Sequence, residues 1–404
     1  MTETPTRRSK AFARHGRIKV QSKASAFWGL FFKGLAILVG ASVAVAGFSL
    51  VDIVGTIQGK GITLLDSNGN AVKTLTAADL KGPINMLLVG SDTRKGQGGG
   101  FGSETSNLAD VIILLHISAD RKNAVALSFP RDLMVPFPAC PAAGEFSGSS
   151  AATYQQINAS YAYGGPGCTR LVVQQLVGVD IPYLATINFK GVIEMSNAIG
   201  GVEVCVANPI VDTYTHLNIP AGNHVLQGRE ALQFLRTRHG LAEGSDLARI
   251  SNQQVYLTSL IRKVKSQGVL TNPVYLYSLA NAAARNMELS QSLTDLNVMV
   301  GIASALKGIE LDKITLLQVP SRGGLAAPYS GRVEPIYEQA NIIFEKLRND
   351  QPVLIIKTDT AKPSASPSPS SSSSTKPSTS PSASATALPD WARGTNGADK
   401  GCSN

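Results

Sequence analysis

The chain is poor in the residues that carry the commonest catalytic signatures. Among 404 residues there are four cysteines, Cys140, Cys168, Cys205 and Cys402. No C-x-x-C pair exists, which argues against a zinc knuckle or a thioredoxin-like site. No G-x-x-x-x-G-K-S/T, no H-E-x-x-H and no G-x-S-x-G occurs. A P-loop, a zinc-protease helix and a nucleophile elbow are therefore excluded. The glycine-rich stretch GSDTRKGQGGGFG runs on into polar residues and a further strand instead of opening a helix, so it is no dinucleotide fingerprint. It reads as a mobile loop beside a site. Acidic residues are also outnumbered, 28 against 37 Lys and Arg, a formal net charge of +9. Eight cations against Glu3 in residues 1–33 account for +7, which leaves +2 for everything that follows. The basic character is an N-terminal arm and not a nucleic-acid surface on a folded body.

After the arm comes GLAILVGASVAVAGFSLV, Gly34 to Val51, with no charge. At about 1.5 Å per helical residue it spans roughly 27 Å, close to a hydrocarbon core. Lys and Arg before the span and few after it predict a cytoplasmic N-terminus and an exported body. The alternative is a cleaved signal peptide with Ala44-Val45-Ala46 as its small-x-small site, but the run is long for one. The cysteines agree with export. The expectation is one disulfide within the body, with Cys168 in the loop-like GGPGC as a member.

Composition divides the chain into a basic arm (1–33), a transmembrane signal-anchor (34–51), a juxtamembrane segment (52–83), an α/β catalytic body (84–357) and a disordered Ser/Pro-rich tail (358–404). Within the juxtamembrane segment, Asn68-Gly69 predicts a tight turn. In the body, INMLLVG (84–90), DVIILLHI (110–117) and NAVALSFP (123–130) read as strands, the first two apolar enough for burial on both faces. YQQINASYAYG and CTRLVVQQLVGV read as helices. YLATINFKGVIEMSNAIGGVEVCV reads as strand, helix, Gly-Gly turn and strand. GREALQFLRTR and DLARISNQQVYLTSLIRKVKS read as a short and a longer helix. This alternation predicts a layered α/β/α body around a central mixed sheet.

The chemistry-bearing candidates cluster in three places. Asp92 and Asp110 stand at strand ends, where α/β sheets bind ligands, and two such carboxylates suit Mg²⁺; the competing role for Asp92 is a turn cap. Arg131 and Asp132 follow the third strand, where a local ion pair is the simpler explanation. In FLRTRHGLAEGSDLARISNQQ, Arg236 and Arg238 share a face if extended, and Arg249 and Gln253 share a face if helical. Guanidinium groups converging in this way match phosphate oxygens bidentately.

INMLLVGSDTR, LADVIILLHI, SFPRDLMV, INASYAYGGPG, INFKGVIEMSNAIGGVEV, AGNHVLQGREALQFLRTRHG and SDLARISNQQ occur in an order that resembles the LytR-CpsA-Psr (LCP) family, actinobacterial members in particular. The resemblance implies an LCP-like fold and a membrane-anchored enzyme that moves a glycopolymer from a polyprenyl-pyrophosphate carrier to peptidoglycan, leaving a phosphodiester and releasing polyprenyl phosphate. It implies Mg²⁺ as cofactor, held by Asp92 and Asp110, and a pyrophosphatase side activity. It implies Arg131, Arg236, Arg238, Arg249 and Gln253 as pyrophosphate donors, with Asp92, Arg131, Arg236 and Arg238 catalytic. Many members carry an arginine two residues before the second aspartate; here that place is Leu108, and Arg94 and Lys95 are the candidates to compensate. The stretches CTRLVVQQLVGV and QQVYLTSLI are candidates to line a groove for the lipid, with ordinary core as the alternative. Two other functions compete: an envelope-sensing regulator and a non-catalytic binder of lipid-linked glycan. The arm carries no helix-turn-helix pattern, and no nucleic-acid partner is expected.

Overall fold

The computed structural model describes residues 55–94, 97, 107–241, 246–266, 269, 272–355, 388–389, 391–392 and 394–403. The basic arm, the expected span at 34–51, nearly all of the glycine run and most of the Ser/Pro segment lie outside the described residues. No helix among the described residues is long and apolar enough to cross a membrane.

In chain order the strands are β1 (Ile84–Ser91), β2 (Ala109–Ile117), β3 (Ala124–Phe129), β4 (Met134–Phe137), β5 (Ala152–Gln156), β6 (Tyr183–Ile187), β7 (Val202–Val206), β8 (Ile210–Asp212), β9 (Leu217–Ile219), β10 (Gly222–Leu226), β11 (Met287–Leu289), β12 (Ile314–Gln318), β13 (Ser321–Arg322), β14 (Glu334–Pro335) and β15 (Gly394–Asn396). The helices are α1 (Ser160–Val177), α2 (Phe189–Ala198), α3 (Gly228–Arg236), α4 (Asp246–Ser266), α5 (Pro273–Asn286), α6 (Leu296–Gly308) and α7 (Tyr337–Arg348).

A seven-stranded mixed sheet runs in the order β11-β6-β1-β2-β3-β12-β15. β1 is parallel to β6, β3 is parallel to β12, and β2 runs antiparallel between β1 and β3. The carboxyl ends of β1, β3, β6 and β12 therefore meet at one end of the sheet.

The period-two alternation of these strands decides the layers. Leu87, Val89, Leu114, Leu127 and Leu184 enter one core with Val172 and Val173 of α1 and Phe344 and Leu347 of α7. Met86, Leu88, Leu115, Ala126 and Ala185 face a second core with Leu257 and Ile261 of α4 and Val298 and Ile302 of α6. A smaller cluster joins the strands of 202–226 to Phe234 of α3 and Tyr256 of α4. The α/β/α expectation holds. α1 and α4 pack into different cores.

Local signals place several boundaries. Asn188 caps α2 by accepting from Gly191 N–H at 2.8 Å. Gly200 and Gly201 then turn the chain at φ 69° and 77°, conformations that glycine adopts without a Cβ penalty. The Asn68-Gly69 turn also forms, with Leu65 bridged to Ala71. One helical expectation fails: Tyr154 to Gln156 close β5 against β4, and α1 starts only at Ser160. Pairing with Met134 and Val135 overrides the local pattern there.

Two further corrections concern the ends of the body. The segment before residue 84 is not separate, since Ile57 and Leu64 are buried in the two main cores. All four cysteines are paired, Cys140 with Cys168 and Cys205 with Cys402. The second pair brings the chain end back, so residues 388–403 are no free tail. β15 adds antiparallel to β12, and Leu388 and Ala392 join the core. The described flanks of the Ser/Pro segment meet where Ile355 bridges Leu388.

Candidate functional site

β1 and β2 pair regularly until Gly90 opposes Val111; the next pair is Ser91 with Ala109. Asp110 is thus the extra residue of a β-bulge. The core contacts agree, because Ala109 and Ile112 enter the same core although they are three residues apart. Gly90 is required opposite the bulge: a Cβ there would lie 2.9 Å from the Cβ of Val111. Bulges re-aim side chains, and this one turns Asp110 out at the carboxyl end of the sheet.

There Arg131, just beyond β3, donates through Nη1 to Asp110 Oδ1 at 2.7 Å. The local pair expected from sequence exists too, with Arg131 Nε 3.5 Å from Asp132 Oδ2. Asp132 also accepts from Arg332 Nη1 at 2.7 Å and from Gln156 Nε2 at 2.6 Å. From the other side, Arg249 Nη2 donates to the Asp110 carbonyl at 3.2 Å, and Gln253 Nε2 donates to the Leu235 carbonyl at 3.1 Å. Arg249 and Gln253, one helical turn apart on α4, are both buried. Asp110, Arg131, Arg249 and Gln253 line one narrow crevice with Ser128, Phe129 and Ile250.

The remaining candidates do not line that crevice. Asp92 follows β1, and its Oδ1 accepts from Leu108 N–H at 2.7 Å while its own N–H donates to the Leu108 carbonyl. Asp92 is thus tied to the backbone of Leu108, sixteen residues on, while within GSDTR the Thr93 N–H donates to Ser91 Oγ at 3.1 Å. Arg236 ends α3, one residue from the carbonyl that Gln253 holds, with its guanidinium 4.2 Å over the Phe189 ring. Thr237 between the two arginines is fully buried, and because Arg236 is helical the extended spacing expected of Arg236 and Arg238 is not formed. Arg238 is fixed through its backbone, its N–H donating to Asp212 Oδ2 at 3.0 Å. Burial pushes Asp212 up, but the N–H groups of Arg238, Tyr214, Thr215 and Gly240 hold it below the usual carboxylate range. Of the two candidates to compensate for Leu108, Lys95 lies outside the described residues.

Sequence reasoning missed Arg332 and Gln156. Neither lies in a motif: Arg332 reaches Asp132 because Val333 docks beside β4, its N–H donating to the Asp132 carbonyl, and Gln156 because β5 pairs with β4. The arrangement can bind and neutralise an anion from two sides. Its oxygens are hard donors suited to Mg²⁺. Among the described residues no group of three His, Cys, Asp or Glu could hold a metal alone. An ion at Asp92 and Asp110 would therefore complete its shell from phosphate and water.

The chain is 28% identical over 277 residues to the cell wall biosynthesis protein LcpA of Corynebacterium glutamicum, covering 62% of this chain and 52% of that protein. The chain thus spans about half the length of LcpA. It is 27% identical over 290 residues to the polyisoprenyl-teichoic acid–peptidoglycan teichoic acid transferase TagT of Bacillus subtilis, covering 70% of this chain and 83% of TagT. The solved LytR-Csp2A-Psr enzyme from Actinomyces oris shares the fold, with TM-score 0.51 and 22% identity over 71% of this chain and 96% of that one. Residues 53–344 match the LytR_cpsA_psr family, and the chain belongs to that family.

Proposed function

We propose that this protein is a membrane-anchored, Mg²⁺-dependent phosphotransferase whose body lies outside the cell. It takes a glycopolymer from a polyprenyl-pyrophosphate carrier and joins it to peptidoglycan. The observation that carries this function is the crevice in which Arg131 and Arg249 approach the bulged Asp110 from opposite sides. A pyrophosphate at the mouth of this crevice meets two guanidinium groups already held beside Asp110, and such preorganised charge is the main requirement of phosphoryl transfer. Arg131, Arg249 and Gln253 bind the phosphates, and Arg236 and Arg238 extend the cationic rim. A wall-sugar hydroxyl attacks the phosphorus next to the glycopolymer. The bond from that phosphorus to the bridging oxygen breaks, and polyprenyl phosphate leaves with the electron pair. Mg²⁺, when bound by Asp92 and Asp110, supplies charge neutralisation on the phosphate oxygens. With water in place of the sugar, the same geometry gives a slow pyrophosphatase activity.

The test uses the full chain in detergent, a short polyprenyl-pyrophosphoryl glycan and a soluble peptidoglycan fragment. Glycan coupling and polyprenyl phosphate release are expected with Mg²⁺, and are lost with EDTA and in Arg249→Ala. Tight donor binding without release under every metal condition would overturn the transferase in favour of a carrier-binding module.

A further inference from the structure

On the side of Arg131 away from α4 lies a second cluster that the donor site does not use. Tyr154 on β5 and Tyr329 meet edge to face, with ring centroids 4.9 Å apart and planes at 87°. The Tyr154 hydroxyl donates to Glu334 Oε2 at 3.5 Å, and Arg322 Nε donates to Glu334 Oε1 at 2.8 Å, across the register pair of β13 and β14. Burial and the charge of Glu334 push the Tyr154 phenol up, which keeps it a donor. The same two causes, in the same order, act on Tyr337 at the start of α7. Tyr329 and Tyr337 remain 39% and 46% exposed. Single exposed apolar residues need no explanation, but three tyrosines grouped around one carboxylate and one guanidinium form an amphipathic patch.

The patch is joined to the reactive centre. Arg332, three residues beyond Tyr329, binds Asp132, which is also bound by Gln156, two residues beyond Tyr154. Asp132 in turn lies beside Arg131. The contacts run in sequence from Arg249 through Asp110, Arg131 and Asp132 to Arg332. In-line displacement requires the attacking oxygen and the leaving oxygen on opposite sides of the phosphorus. With the leaving polyprenyl phosphate on the α4 side, the attacking hydroxyl would arrive from the tyrosine side.

Resting on the transferase function proposed above, we propose that Tyr154, Tyr329 and Tyr337, with Glu334 and Arg322, form the subsite for the acceptor saccharide. Sugar rings present apolar C–H faces edged by hydroxyls. Exposed tyrosine faces take the first, and Glu334 and the tyrosine hydroxyls take the second. Arg332 fixes the patch relative to Asp132, so a ring seated on Tyr329 has its neighbour directed toward Arg131.

The experiment measures transfer by the full chain in detergent, varying a soluble peptidoglycan fragment and a short polyprenyl-pyrophosphoryl glycan in turn. Tyr329→Ala and the more exposed Tyr337→Ala are each expected to raise KM for the fragment about tenfold. The donor KM and kcat stay unchanged, because only acceptor binding is removed. Tyr329→Phe retains the ring and loses the hydroxyl, so its fragment KM rises less than that of Tyr329→Ala. Fragment binding without donor, followed by calorimetry, weakens in parallel. An unchanged fragment KM in both alanine variants overturns the proposal. A rise in donor KM alone also overturns it and gives the patch to the donor glycan. If the parent protein catalyses no transfer yet binds the fragment through these tyrosines, the subsite stands and the transferase function falls.

Discussion

The two ends of the central sheet carry polar clusters of similar size and opposite character. At the end where β1 begins, Asn85 and His116 are register partners, both buried. His116 Nδ1 lies 2.7 Å from Asn85 Oδ1 and His116 Nε2 lies 3.1 Å from Asp350 Oδ1. Asn85 donates to the Asp180 carbonyl, and Asp350 accepts from Ala119 N–H. That cluster is closed: its members satisfy one another and tie the end of α7 to the sheet. At the carboxyl end, Arg131, Arg249 and Arg332 converge on Asp110 and Asp132, and the crevice between them is lined by donors. Burial of polar groups is common to both ends. What distinguishes the site is convergence of like-charged donors where strands end.

This contrast can be broken most strongly at the open end. Arg131→Ala is expected to lower turnover about 10²–10³-fold, as loss of a preorganised donor does, with little change in thermal unfolding. Polyprenyl phosphate release and a melting curve measured on the same sample decide the matter; near-parental turnover would remove Arg131 from the chemistry. The converse holds at the closed end. His116→Leu leaves Asn85 and Asp350 without their partner and should lower stability by about 1–3 kcal/mol, with turnover within about twofold of the parent. Denaturant unfolding followed by fluorescence measures it, and a large loss of turnover in a folded variant would place His116 in the catalytic apparatus instead.

The smallest effect concerns pH. Burial holds His116 below its ordinary value of 6.5, with the charge of Asp350 opposing. A group with a depressed folded pKa contributes stability above its unfolded pKa and loses it as pH falls. The unfolding midpoint should therefore drop from about pH 6.5 downward. In His116→Leu that part of the slope disappears, and equal slopes in the two proteins would show that carboxylates alone govern acid stability.

Much of the fold was legible in local pattern. The apolar runs of β1 and β2, the Gly200-Gly201 turn and the amphipathic α3 and α4 follow from side-chain period and backbone freedom. Tyr154 to Gln156 were not legible, because a short strand is decided by its partner and not by its own residues. The site was legible in part. Arg249 and Gln253 share a turn of α4 as their spacing requires, and Asp110 and Arg131 come together as the neighbouring ends of paired strands. Asp92, Arg236 and Arg238 do not line the crevice, and spacing could not foretell that Asp92 would accept from the Leu108 N–H.

The sequence by itself determined the sheet, the layering on its two faces and the family, because periodicity and ordered motifs are properties of neighbouring residues. Only the tertiary structure decided the bulge that turns out Asp110, the approach of Arg332 and Gln156 to Asp132, and the return of the chain end through Cys402 to Cys205. Each of these joins residues distant along the chain. Their energies depend on register and packing that no local segment contains.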